Sequence, residues 1–168
     1  AAVVLLVCIV LVTVNATNYK RTMSDINSDL QYITAHGGML PKKAAPTESG
    51  WFGGNERENN RDEFSYQTRY LTVLADKDGN VKDINMKNTA SFTKEEAVQY
   101  AQTSVSTGQD EGVFEKSGAV YAYLITVDGE DNHFIVIMDC TREFAALHSL
   151  WRYSCVLGLA CIIAYAVL

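Results

Sequence analysis

The sequence predicts an α+β domain, an antiparallel five-stranded sheet with helices, flanked by two transmembrane helices. Three observations predict it. Both ends are apolar: residues 1–14 read AAVVLLVCIVLVTV, residues 153–168 read YSCVLGLACIIAYAVL, and every Asp, Glu, Lys and Arg lies between positions 20 and 152. Five runs of strand-like composition, four of them joined in pairs by Gly- and Asp-bearing turns, fall between residues 69 and 139. Helical periodicity appears before, between and after those runs.

The ends set the class. At 1.5 Å per residue the first 14 residues reach about 21 Å and the last 16 about 24 Å, short of a hydrocarbon core of about 30 Å. Each therefore reads as a truncated transmembrane helix, one over 1–14 and one over 151–168. A signal peptide is the rival for the first, but no basic n-region or clear small-residue cleavage site is present. Trp151, Arg152 and Tyr153 form an aromatic and basic interface belt at the second. Between them, 15–150 is expected to be one extracytoplasmic domain in a protein of the cell membrane. The acidic balance of that region favours the outside. The net charge of −6 and the absence of a basic stripe argue against nucleic acid as a partner.

The elements follow in order. Val12, Ala16, Tyr19, Met23, Ile26, Leu30 and Ile33 recur at alternating spacings of 4 and 3, so a long helix over 15–36 continues from the first apolar segment, and Gly37-Gly38 ends it. One reading makes it an amphipathic helix packed on its own domain. The other makes Tyr19, Met23, Ile26, Leu30 and Ile33 a dimer seam against a second copy. Residues 39–68 carry Pro41, Pro46 and three glycines without a period, and read as a long surface loop with Trp51-Phe52 as its apolar spot. In RYLTVLAD, Leu71, Val73 and Ala75 alternate with Tyr70, Thr72 and Leu74, and Asp78-Gly79 turns the chain into VKDINM. Thr93-Lys-Glu-Glu96 is a capping box. Ala97, Val98, Ala101 and Val105 line one face of the helix it starts, and Gly108 stops it. VFEK, AVYAYLITV and HFIVIMD are three further strands. Thr141 is the expected cap of a last helix that runs straight into the second apolar segment. The economical packing is two layers, with the helices on one face of the sheet.

Candidates for chemistry are few. Cys8, Cys155 and Cys161 lie in the membrane segments, which leaves Cys140 alone in the domain, so the fold has no disulfide of its own. Cys140 reads as a buried small residue ending a strand, with a redox sensor as the alternative. DKDGN departs from the EF-hand pattern in the places of its Gly and Glu. Asp128, Glu130, Asp131 and His133 lack metal-ligand spacing. None of His36, His133 and His148 is followed by the Glu usual at a phosphoacceptor site, and no Gly-rich nucleotide loop or hydrolase motif occurs. No catalytic, metal-binding or cofactor-binding residue is assigned. Tyrosine is enriched, with nine in the chain. Tyr70, Tyr121 and Tyr123 could ring a ligand pocket or could be core filler.

Taken as a set, GGMLP after the first helix, YQTRYLTVLADKDGNV at the first hairpin, FTKEEAVQYAQ at the capped helix and FIVIMDCTREF before the second membrane segment resemble the extracytoplasmic sensor module of membrane-bound two-component sensor histidine kinases of Gram-positive, Clostridia-type bacteria. The resemblance spans the chain except 39–64. It implies a PAS-like (Cache-type) domain in a homodimer and an unknown external signal. It also implies a cytoplasmic protein-histidine kinase using ATP and Mg, and a cognate response regulator as partner. A membrane-anchored interaction domain, or the sensor of another output such as a cyclic-dinucleotide enzyme or chemoreceptor, is the alternative.

Overall fold

The central strands are apolar on both faces, and that decides the architecture. The computed structural model describes residues 2–39, 68–76, 79–87, 92–128 and 132–167, so the loop expected around Trp51-Phe52 lies outside the described residues. The described chain contains α1 (Ala2–Ala35), β1 (Tyr70–Ala75), β2 (Val81–Asn85), α2 (Lys94–Ser106), β3 (Glu111–Lys116), β4 (Ala119–Val127), β5 (His133–Asp139) and α3 (Thr141–Val167). The five strands form one antiparallel sheet of order β2-β1-β5-β4-β3. The first and last strands are thus adjacent at its centre, and α2 carries the chain from one edge to the other.

The chain divides into two compact units, residues 1–28 with 140–168, and residues 29–139. In the sheet unit, Leu71, Val73, Ala75, Ile135, Ile137, Tyr121, Tyr123 and Ile125 pack with Ala97, Tyr100 and Ala101 of α2 in one core cluster. This is the Leu71/Val73/Ala75 face that the alternation singles out. The buried face of α2 is Ala97, Tyr100, Ala101 and Ser104, turned slightly from the expected Ala97/Val98/Ala101/Val105 stripe. The capping box forms as predicted: Thr93 Oγ1 accepts from Glu96 N at 3.2 Å, and Thr93 N donates to Glu96 Oε2 at 2.9 Å.

The opposite face is covered too, which corrects the two-layer expectation. Thr72, Val136, Met138 and Ala122 are buried there. Gly38, at the end of α1, meets this face: its carbonyl accepts from Tyr70 Oη at 3.2 Å, and a Cβ on it would stand 2.7 Å from Thr72 Cγ2 and 3.3 Å from Phe134 Cζ. Leu30 and Ile33, in the preceding turns of α1, are fully buried. The physical reason is the sequence of β1 and β5. YLTVLA and FIVIM have almost no polar alternation, and a strand apolar on both sides needs cover on both sides.

In the helical unit, α1 and α3 carry the two apolar segments, and each is long and apolar enough to cross a membrane. Leu5, Leu6, Ile9, Val156, Leu157 and Ile163 are largely exposed on them. The two helices touch where a Cβ on Gly158 would come 3.2 Å from Leu11 Cδ1. The last helix begins at Thr141 itself, with Phe144 N donating to Cys140 O at 3.1 Å, so Cys140 takes the place before the first turn that was expected of Thr141.

Gly37 and Gly38 both have positive φ, 60° and 74°, but only Gly38 lies against the sheet. Gly37→Ala is expected to cost about 1 kcal/mol from the left-handed backbone alone. Gly38→Ala adds overpacking against Thr72 and should cost about 1–3 kcal/mol more. Urea unfolding of both variants in detergent, followed by circular dichroism, checks the order, and equal losses would show that Gly38 does not seat α1 on the sheet.

Candidate functional site

The richest concentration of polar-tipped side chains in the sheet unit is an aromatic layer between α2 and the sheet. β4 supplies Tyr121 and Tyr123, β3 supplies Phe114, α2 supplies Tyr100, and Phe92 enters just before the capping box. Tyr121 lies centrally, with ring centroids 5.1 Å from Tyr100, 5.3 Å from Phe92 and 5.4 Å from Phe114. Phe92 meets Tyr100 edge-on at 5.4 Å, a favoured arrangement for aromatic pairs. Strand register builds the layer. Phe114 pairs with Tyr121, and Gly112 pairs with Tyr123.

Gly112 is a requirement of that second pair. A Cβ there would stand 2.7 Å from Tyr123 Oη and 2.9 Å from its ring, so the ring lies across the glycine. Tyr123 is buried, and its hydroxyl shares a hydrogen bond of 2.7 Å with Thr107 Oγ1 at the end of α2. Lys116 Nζ sits 4.5 Å from the centroid of the Tyr100 ring and donates to Gln99 Oε1 at 2.9 Å. The layer thus already has a cation over one of its faces.

The sequence candidates separate. Tyr121 and Tyr123 belong to this layer, whereas Tyr70 is on the other face, buried against Gly38. The three tyrosines therefore do not ring one pocket. Alternation along β1 places Tyr70 with Thr72 and Leu74, opposite the Leu71 face. The sequence reading missed Phe92, Tyr100 and Phe114. Tyr100 stands at i+3 from Ala97 and i−4 from Ser104, a spacing that could have found it had a tyrosine been counted as apolar.

Within the proposed seam, Ile26, Leu30 and Ile33 are buried, Met23 is half-buried and Tyr19 is half exposed. Cys140 is fully buried. Asp128 closes its own turn, accepting from Asn132 N at 3.0 Å and Asn132 Nδ2 at 3.2 Å. Asp76 does the same with Asn80, at 2.8 Å from its N and 3.0 Å from its Nδ2. Asn132 Oδ1 in turn accepts from Lys82 Nζ. Glu130 and Asp131 lie outside the described residues. Among the described residues no group of three or more His, Cys, Asp or Glu side chains is arranged to hold a metal ion. Between edge strand β2 and α2 runs an open groove of about 640 Å³, lined by Val81, Ile84 and Val98 with Lys82, Lys94 and Glu95.

No protein-family model matches the chain, and neither a curated protein nor a solved structure is detectably similar to it. The chemistry of the site therefore rests on its own geometry. Among the described residues the layer offers ring faces, phenol hydroxyls and nearby carboxylates, and no nucleophile paired with a base. Such a set can bind or transmit strain.

Tyr121 has its phenol pKa pushed up to about 12, first by burial, then by neighbouring Tyr100, and then by the Asp139 and Glu96 carboxylates. The folded state keeps this proton above pH 10, where the unfolded chain loses it. Stability is therefore intact below about pH 10 and falls by about 1.4 kcal/mol per pH unit from there to about pH 12. Tyr121→Phe should lose that share of the decline and differ from the parent at neutral pH only by a constant offset. Chemical denaturation of both proteins at pH 8, 10 and 11 measures it, and parallel curves across the three would overturn the assignment.

Proposed function

We propose that the chain is the extracytoplasmic signal-sensing part of a membrane sensor histidine kinase, a PAS-like (Cache-type) domain held between two transmembrane helices. The observation that carries the reading is the exit of the sheet. Central strand β5 ends at Asp139, a single buried residue follows, and α3 starts at Thr141. A shift of β5 would thus enter a helix long and apolar enough to cross a membrane without passing through a loop.

Further support comes from the strand order. The sheet has β1 and β5 side by side at its centre, with the helical crossover joining the two edges, an order compatible with a PAS-like sheet. The aromatic layer is placed to take part in transmission. Tyr121 pairs with Asp139, the last residue of β5, and touches Tyr100 of α2. A ligand that favours one placement of α2 over another would bias β5 through that phenol, provided that it binds the two placements with different affinity. The external signal, the homodimer, the cytoplasmic kinase with ATP and Mg, and the response regulator belong to this proposal.

The kinase reading is tested in membranes from cells expressing the full-length protein. Incubation with ATP and Mg should label it with phosphate that is lost in acid and kept in base, as a phosphohistidine is. Acid-stable label, or none, would overturn the reading in favour of an anchored interaction domain or another output.

Orientation is tested separately. With both helices spanning and the two chain ends on the cytoplasmic side, as proposed, the sheet unit would lie outside the cell, so Gln109→Cys, an exposed position after α2, should react with a membrane-impermeant maleimide in intact cells above the level of the parent. Reaction only after lysis would place the domain inside.

A further inference from the structure

At one end of the sheet, side chains from its two hairpins meet around a buried amide. Strand register fixes the place. Val81 of β2 pairs with Ala75 of β1, and Ala75 pairs with His133 of β5, whereas Leu74 pairs with Asp83, so Lys82 is the extra residue of a β-bulge. A bulge re-aims a side chain, and Lys82 reaches past the end of β1 to Asn132, the residue before β5. Neighbouring strands lie about 4.8 Å apart, so the gap from β2 to β5 is about 10 Å. A long flexible lysine stem meeting an asparagine arm spans it.

Asn132 is only 4% exposed, and its amide is held at both ends. Oδ1 accepts from Lys82 Nζ at 2.5 Å, and Nδ2 donates to Asp128 Oδ2 at 3.2 Å. An ordinary N–H···O bond is about 2.9 Å long, while the N and O of one amide group stand about 2.25 Å apart. The Lys82–Asn132 contact lies between the two. With a C=O bond of about 1.23 Å, Nζ is within about 3.7 Å of the Asn132 carbonyl carbon, near the separation of a near-attack pair. An amine nucleophile, a buried carboxamide and a carboxylate beside the nitrogen that would leave are thus assembled at one spot.

We propose that Lys82 and Asn132 condense into an intramolecular isopeptide bond. The neutral Lys82 amine adds to Asn132 Cγ and forms the Nζ–Cγ bond. One proton passes from Nζ to Nδ2 by way of the Asp128 carboxylate, which accepts it and gives it up again. The Cγ–Nδ2 bond then breaks, and ammonia leaves past Asp128, which is exposed. The balance is complete: an amine and a primary amide become a secondary amide and ammonia. The product ties edge strand β2 to the start of β5 across β1, between residues 50 apart in sequence. The inference is independent of the membrane and kinase readings.

The test is mass spectrometry of the chain purified in detergent. Its intact mass should fall short of the sequence mass by one ammonia. Trypsin should leave the bond after Lys82 uncut and yield residues 78–87 joined to residues 117–142 in one branched peptide. Lys82→Arg, which keeps a donor for Asn132 but lacks the amine, should show the full mass and separate peptides. Asp128→Asn, which can still accept in the turn but cannot carry the proton, should slow the linkage by about a hundredfold. The full sequence mass in the parent would overturn the proposal and leave a hydrogen bond only. An ammonia loss that persists in Lys82→Arg would also overturn it, because it would mark cyclisation at an asparagine instead. Linkage at the parent rate in Asp128→Asn would overturn the proton path.

Discussion

The pairing of β1 with β5 is the constraint on which the rest of the structure depends. Leu71 stands opposite Ile137, Val73 opposite Ile135 and Thr72 opposite Val136, and all of these side chains are buried. Two adjacent strands with no solvent face cannot be stable until both sides are covered, because each buried aliphatic side chain contributes roughly 1.5–3 kcal/mol only when water is excluded. That requirement brings α2 to one face and the end of α1 to the other. It also fixes the centre of the sheet as the place where α3 is rooted.

Small residues make the cover possible on each side. Gly38 lets the end of α1 come against Thr72, and Gly112 lets the Tyr123 ring lie across β3. On the α2 face, Ala97 and Ala101 sit on the helix beside Tyr100, so the helix backbone stays near the sheet while one ring reaches into the layer. Phenols fill the space that aliphatic side chains would leave, and two of their hydroxyls are answered: Tyr123 by Thr107 and Tyr70 by Gly38. An unanswered hydroxyl at such depth costs about 1–3 kcal/mol, so the polar tips and the packing are mutually dependent.

Much of this was legible in the sequence. The strands, the capping box at Thr93 and Glu96, the stop at Gly37-Gly38 and the run from β5 into α3 each follow from local pattern. What local pattern does not hold is the partner of a face. The alternation in RYLTVLAD separates Leu71 from Tyr70 correctly, yet it cannot say that both sides are covered, because a tyrosine and a threonine read as the wet side of a half-buried strand. For the same reason Tyr70 looked like a companion of Tyr121. Whether two tyrosines on different strands share a face depends on register, and register between β1 and β4 passes through β5. Phe92 and Phe114 were invisible as a site because each lies in a different element, and only the crossover of α2 brings them together.

The long seam of α1 illustrates the same limit and carries the mechanical argument further. Its spacing of 4 and 3 runs unbroken from Val12 to Ile33, but the boundary between the compact units falls at Ser28 and Asp29. Val12 and Tyr19 are exposed while Ile26, Leu30 and Ile33 are buried, so one periodic stripe serves two environments. No Gly or Pro interrupts α1 from Ala2 to Ala35, or α3 from Thr141 to Leu157. Sharp bends in helices arise at such residues or at breaks in the hydrogen-bond ladder. Each helix can therefore carry a displacement across its length. The sheet holds one helix by a glycine seat and the other by a single residue of backbone.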